Sequence, residues 1–154
     1  MNFRAEISPL HADDTNRAVE VWEASVRATH SFVTEEDIEV FRPLVRGAFP
    51  DALTFGCIRD EAGQIVGFVG MSDSKIEMLF VHPDWRGRGV GRLLLGYAVR
   101  ELKATMVDVN EQNGQAVGFY QRTGFETIGR SEYDGLGKPY PLLHMQLREC
   151  KEAS

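Results

Sequence analysis

The sequence predicts a mixed α/β fold whose sheet is antiparallel in its first part. Three observations carry this. Three strand-like runs succeed one another between Leu53 and Val81 with only short turns between them, the pattern of antiparallel neighbours. A helix that is apolar almost all round follows from Gly89, and then another strand, as in a βαβ crossover. Before Leu53, apolar residues recur at helical spacing. With 154 residues, 43% of them hydrophobic and 26% charged, the chain is long enough for one core. No repeat, low-complexity tract or linker divides it, so a single domain over residues 1–154 is expected.

Taken in order, residues 3–7 alternate apolar and polar side chains and read as a short strand. From Asp13 the spacing turns helical through Val19, Trp22 and Val26, and breaks at "ATHSFV". Thr34 with Asp37 resembles a capping box that opens a second helix through Ile38, Phe41 and Val45. Gly47 stops it, and Pro50 reinforces the stop. Strands are expected in "LTFGCIRD", "EAGQIVGFVGMS" and "SKIEMLFV", with hairpin turn chemistry in "DEAG" between the first two. The helix after Gly89 carries Val90, Leu93, Leu94, Tyr97, Ala98 and Leu102 and should be largely buried. "TMVDV" is the next strand, Asn113 caps a helix that ends at Gly124, and "FETIGRSEY" and "PLLHMQL" close the fold as two strands. The order is β-α-α-β-β-β-α-β-α-β-β.

Bulk properties exclude several classes. A net charge of −6 is a poor match for a phosphate backbone, so no nucleic-acid partner is expected. No apolar run spans a bilayer, and the N-terminus lacks the basic-then-apolar profile of a signal peptide, so no membrane partner and a cytoplasmic location are expected. Cys57, in a strand, and Cys150, in the polar tail, form neither a disulfide framework nor a zinc pattern and are expected to be reduced thiols. The four histidines lack ligand spacing, and no metal is expected. A homodimer is compatible with the sequence, but no apolar stripe demands one.

Chemistry concentrates in "HPDWRGRGVGRLLLGYAV", residues 82–99. A strand ends, Pro83 breaks it, and a glycine-rich turn opens a helix. The first helical N–H groups have no partner inside the helix and carry the positive end of its dipole. Gly87, Gly89 and Gly91 let backbone approach a bulky ligand and are expected to take positive φ, while Arg86, Arg88 and Arg92 add cationic forks matched to phosphate oxygens. Together these describe a pyrophosphate cradle; the plain alternative is a helix start with a solvated basic rim. The turn lacks the Gly-Lys-Ser/Thr ending of a Walker loop. A dinucleotide fingerprint is the nearer rival, with Asp108 at a ribose-binding distance downstream, but Arg92 stands where its third glycine belongs.

Arg86-x-x-Gly89-x-Gly91, after a strand and before an apolar helix, resembles the acyl-CoA signature of the GNAT N-acetyltransferase superfamily. "VNEQNGQAVGFYQRTGF" resembles that family's later motif, through Asn110, Asn113, Phe119, Tyr120, Gly124 and Phe125. The element order is similar to the family's as well, so the resemblance covers nearly the whole chain. It implies a sheet splayed into a central cleft between two parallel strands, with acetyl-CoA as cosubstrate. The pantetheine arm would bond backbone near Leu79, Phe80 and Val81. The pyrophosphate would sit on the amides from Gly87 through Arg88, Gly89, Val90 and Gly91 to Arg92, with Arg86 beside them. Asn110 and Asn113 would bond the arm or water, and Asn113 also reads as a plain helix cap.

Amide formation from a thioester needs a neutral amine, a stabilised oxyanion and a proton for the departing thiolate. Tyr120 is the candidate acid, since a phenol is a competent donor to a thiolate; its plain reading is an aromatic packing residue. Glu77, a lone carboxylate among Ile76, Met78 and Leu79, is the candidate base, or else simply points into solvent. His30 and His144 are further proton acceptors by type, and the plain reading of either, which the sequence favours, is a structural histidine with its hydrogen bonds satisfied. With Phe32 and Tyr140, they are also the candidates for lining the acceptor pocket. The resemblance further implies an oxyanion donor in the backbone N–H of Phe80 or Val81. The function expected is acetyl transfer from acetyl-CoA to a primary amine, by direct transfer in a ternary complex. The acceptor is left open among protein lysines, N-termini and small amines, as is the length of the acyl group. The alternative is a CoA-binding sensor or interaction module without turnover.

Overall fold

The computed structural model describes residues 2–148; Cys150 lies outside them. Four α-helices and seven strands occur among the described residues, in the expected order. They fall into two compact units with the chain boundary at Ala104–Thr105.

The first unit holds β1 (Phe3–Ser8), α1 (Thr15–Thr29), α2 (Glu35–Gly47), β2 (Thr54–Asp60), β3 (Ile65–Ser72), β4 (Lys75–Val81) and α3 (Val90–Arg100). Its strands run β1-β2-β3-β4, each pair antiparallel. β3 is buried along all of its length except Ser72, as a strand covered on both faces must be. On one face Phe68 packs edge-on against Phe49, within a cluster of Val19, Trp22 and Val26 of α1 and Ile38 of α2. On the other face Gly67 lets α3 come close: a Cβ there would lie 2.9 Å from Val90 Cγ1 and 3.1 Å from Leu94 Cδ1. Methyl-sized changes at such a contact are felt, because interiors are close-packed. The strand expected over residues 61–72 begins only at Ile65, because Asp60 Oδ1 accepts from the N–H groups of Ala62 and Gln64 and folds the intervening residues into a turn. α2 starts as expected, with Thr34 Oγ1 accepting from Asp37 N at 3.1 Å. α3 ends at Arg100, short of the expected Leu102.

The second unit holds β5 (Met106–Asn110), α4 (Gly114–Arg122), β6 (Phe125–Ser131) and β7 (Leu142–Leu147), with strand order β5-β7-β6 and both pairs antiparallel. Alternation sorts its side chains into two faces. Val107, Val109 and Met145 are buried on one, and Tyr120 of α4 packs there edge-on against Phe125. Asp108 and His144 oppose each other on the other face. Gly124, at φ +104°, ends α4 in the left-handed conformation that the sequence assigned to it.

Candidate active site

β4 delivers the chain to the glycine turn. Leu79, Phe80 and Val81 pair with Val69, Phe68 and Gly67 of β3, and the register slips one residue earlier: Gly70 opposes Met78 while Met71 opposes Ile76. Glu77 is the unpaired residue of that bulge and is exposed. Bulges of this kind re-aim a side chain, so the carboxylate stands out from an otherwise half-buried strand. Past β4, His82 Nδ1 accepts from Asp84 N at 3.2 Å and closes a 3-10 turn over Pro83–Trp85. Trp85 is buried, and the Arg88 guanidinium lies 5.0 Å above its ring centre, a cation–π contact that holds one arginine over the turn.

Gly87 and Gly89 both adopt positive φ, +75° and +91°, where a side chain is strained. A Cβ on either would meet nothing within 4 Å, so the space above both is open. Gly89 is the N-cap of α3 and supplies no side-chain cap, and the first turn carries no acidic residue. The contrast with the neighbouring helices is informative: Thr34 caps α2, and Asn113 caps α4 by accepting from Ala116 N at 3.2 Å. The first hydrogen bond into α3 runs from Leu93 N to Gly89 O. The amides of Val90, Gly91 and Arg92 therefore lack intrahelical partners and form the positive end of the dipole. Arg86, Arg88 and Arg92 are exposed around them. An anion of phosphate type fits this arrangement.

In the second unit, Asn113 is buried and caps α4, so its plain reading holds. Asn110 Oδ1 is buried without a hydrogen-bond partner. A native acceptor so placed marks a position where a donor is missing. Tyr120 is 6% exposed, packs against Phe119 and Phe125, and has no hydroxyl partner among the described residues. Burial pushes its phenol well above the ordinary range, so it stays protonated.

The candidate pocket residues fall into two groups. In the first unit His30 and Phe32 stack with ring centres 5.3 Å apart. Thr29 Oγ1 donates to Ser25 O and accepts from His30 Nδ1, each at 2.7 Å; having one hydrogen, it fixes the tautomer that leaves His30 Nε2 as an acceptor. Burial lowers the His30 pKa from 6.5 to about 4 and keeps the ring neutral. In the second unit Tyr140 is half-buried in the turn before β7. His144 is more elaborately placed. Its Nδ1 donates to Asp108 Oδ1 at 2.7 Å, and Ser131 Oγ lies 2.7 Å from its Nε2. Asp108, considered above as a ribose ligand, thus orients an imidazole instead. Neither Asp108 nor Ser131 was expected in a site with His144. The only sequence signal was the polar position of His144 between Leu143 and Met145.

In the first unit, the open start of α3 fits the phosphates of coenzyme A. In the second, the buried Asn110 Oδ1 without a partner fits an amide N–H donor.

An α/β fold of this element order, with an anion-ready glycine turn ahead of a buried helix, is the arrangement that the resemblance to the GNAT acetyltransferases implied. The chain belongs to the GNAT acetyltransferase family, whose domain it matches over residues 29–148. It is 44% identical over 133 residues to YjaB of Escherichia coli K12, named a peptidyl-lysine N-acetyltransferase, across 86% of this chain and 90% of that protein. The solution structure of apo YjaB from Escherichia coli matches with a TM-score of 0.86 at 39% identity, covering 97% of this chain and 100% of that one. The PaiA N-acetyltransferase of Thermoplasma acidophilum, crystallised with coenzyme A, shares the fold at a TM-score of 0.70 and 19% identity, over 96% of this chain and 100% of that one.

Proposed function

We propose that the chain transfers an acetyl group from acetyl-CoA to a primary amine by direct transfer in a ternary complex, with the ε-amine of a polypeptide lysine as the acceptor. The observation that carries the donor half is the uncapped, acid-free start of α3 beneath open space at Gly87 and Gly89. The likeness to YjaB, a peptidyl-lysine N-acetyltransferase by name, supports the acceptor half.

Each residue then has one task. The amides from Gly87 to Arg92 and the guanidinium groups of Arg86, Arg88 and Arg92 hold the pyrophosphate. Backbone groups of Leu79 and Val81, which point away from β3, bind the pantetheine arm, and the N–H of Val81 donates to the thioester oxygen as charge develops there. The Phe80 backbone, expected to share this task, is turned into the β3 ladder by the alternation that His82 N–H sets in donating to Val66 O. Asn110 Oδ1 accepts from an amide of the arm. Tyr120, kept protonated by burial, gives its proton to the departing thiolate, and its hydroxyl has no competing partner among the described residues. Two groups are candidates for taking the amine's proton: Glu77, exposed on the bulge of β4, and His144, held by Asp108. His30 and Phe32 in the first unit, and Tyr140 in the second, are candidates for contacting the acceptor.

Thermal unfolding with CoA, acetyl-CoA and NAD in parallel tests the donor half. A ligand that binds only the folded chain raises its stability by about 2.7 kcal/mol at a hundredfold excess over Kd. We expect both CoA species to raise Tm and NAD to leave it unchanged, with acetyl transfer to a lysine peptide following. A shift with NAD alone overturns the reading. Tight CoA binding without transfer to any amine makes the protein a CoA sensor instead.

A further inference from the structure

Three strands of the second unit each contribute one residue to a hydrogen-bonded line, Ser131 of β6, His144 of β7 and Asp108 of β5. A bulge makes the line feasible. Thr127 opposes Met145 but Gly129 opposes His144, so Ile128 is an extra residue in β6. Without it the period-2 alternation would turn Ser131 to the opposite face. With it, Ser131 shares a face with His144, and its hydroxyl lies 2.7 Å from Nε2.

For a neutral imidazole, the form that can accept a proton, the direction of the line follows from the donor inventory. A carboxylate only accepts, so Nδ1 carries the imidazole proton toward Asp108 and Nε2 keeps a lone pair. Ser131 O–H then donates to Nε2, and the serine oxygen keeps its own lone pairs. The arrangement is only partly buried, with the side chains of His144 and Asp108 34% and 24% exposed, so a ligand can reach it. Among the described residues of this unit, the other charged group on the same face of the three strands is Glu126, opposite Gln146. Arg130 is on the reverse face and is bound to Glu111 at 2.8 and 3.0 Å.

We propose that Ser131, His144 and Asp108 form the proton-accepting relay of the transfer, with Ser131 Oγ the atom that receives the proton of the acceptor's ammonium group. The proposal rests on the acetyltransferase reading above and assigns the base within it. In the step, an ammonium N–H bond breaks and a bond forms from that proton to Ser131 Oγ. The proton already on Oγ passes to His144 Nε2. The amine keeps the electron pair with which it attacks, and the imidazolium is stabilised by Asp108 until water takes the proton. Ser131 touches the substrate; His144 and Asp108 act through it.

The test compares two acceptors with the full chain: a lysine peptide, and the same peptide with an aminooxy group in place of the lysine ammonium, a nitrogen already neutral at pH 7. Ser131→Ala removes the receiving atom. Asp108→Asn donates to Nδ1 and so moves the imidazole proton to Nε2, removing the lone pair without removing the ring. We expect both variants to lose roughly 10²-fold in kcat/KM with the lysine peptide, to change the acid limb of its pH profile, and to match the wild type with the aminooxy peptide. Variants equal to wild type with both acceptors, or slowed equally with both, overturn the relay, the second result marking a structural role. A wild type that acetylates neither acceptor overturns the acetyltransferase reading and the relay with it.

Discussion

At the scale of single residues, the clearest separation of chemistry from packing is at Tyr120. Its ring is fixed by Phe119 and Phe125, and its hydroxyl has no partner among the described residues. Removing the hydroxyl therefore breaks no hydrogen bond and creates no cavity of consequence. Tyr120→Phe is expected to leave stability within about 0.5 kcal/mol of wild type. It should leave the CoA-induced rise in Tm intact, while acetyl transfer falls roughly 10²-fold. Unfolding curves and initial rates measured on the same preparation check both halves; retention of full activity would remove the phenol from the proton path. Tyr120 and Asn113 were legible in the sequence because their spacing and their motif lie within one helix. Asn110 was legible only as part of that motif, since the orphaned state of its Oδ1 is a matter of what surrounds it. Asp108 and Ser131 were not legible as partners of His144. They meet across strands, and cross-strand neighbours depend on register.

At the scale of elements, the order and type of every helix and strand followed from period and punctuation, because each kind of burial imposes its own spacing. Bulges escaped this reading. One extra residue in β4 exposes Glu77, and one in β6 turns Ser131 toward His144; neither Glu77 nor Ile128 has a composition that announces it. The start of α3 was legible at Gly87 and Gly89, since glycine at positive φ has few substitutes, whereas Gly91, expected to share that conformation, lies inside the helix without it. The turn yields a prediction with separable parts. Gly89→Ala places a Cβ in open space, so its intrinsic cost is only the left-handed backbone strain, about 1–2 kcal/mol. The same Cβ stands where a phosphate would approach the helix amides. The variant is thus expected to lose more of its CoA-induced Tm shift than of its Tm without ligand. An undiminished CoA shift would place the phosphates elsewhere.

At the scale of the whole molecule, the two compact units divide at Ala104–Thr105 without any proline, glycine or serine tract to mark the point, so composition could not reveal it. What composition also hides is how the chain responds to acid, because that depends on which ionisable groups are buried or paired. Arg59 bonds Asp14 and holds its carboxyl below the ordinary 3.8. Burial works against Glu23, but bonds from Arg42 and Arg27 still keep it below 4.5. Both contribute stability above the ordinary carboxylate range that is lost as pH falls through their lowered values. His30 acts earlier. The unfolded chain binds a proton there near pH 6.5, whereas the folded chain resists until about pH 4, so stability is whole above 6.5 and drains away between 6.5 and 4. A shift of that size corresponds to about 3 kcal/mol as an upper figure. Urea midpoints measured from pH 7.5 to 4 should therefore fall for the wild type before any carboxylate titrates. In His30→Gln, which has nothing to protonate, the decline should begin only in the carboxylate range. Parallel curves for the two proteins would mean that His30 takes up its proton as readily folded as unfolded, and the acid response would then belong to Asp14 and Glu23.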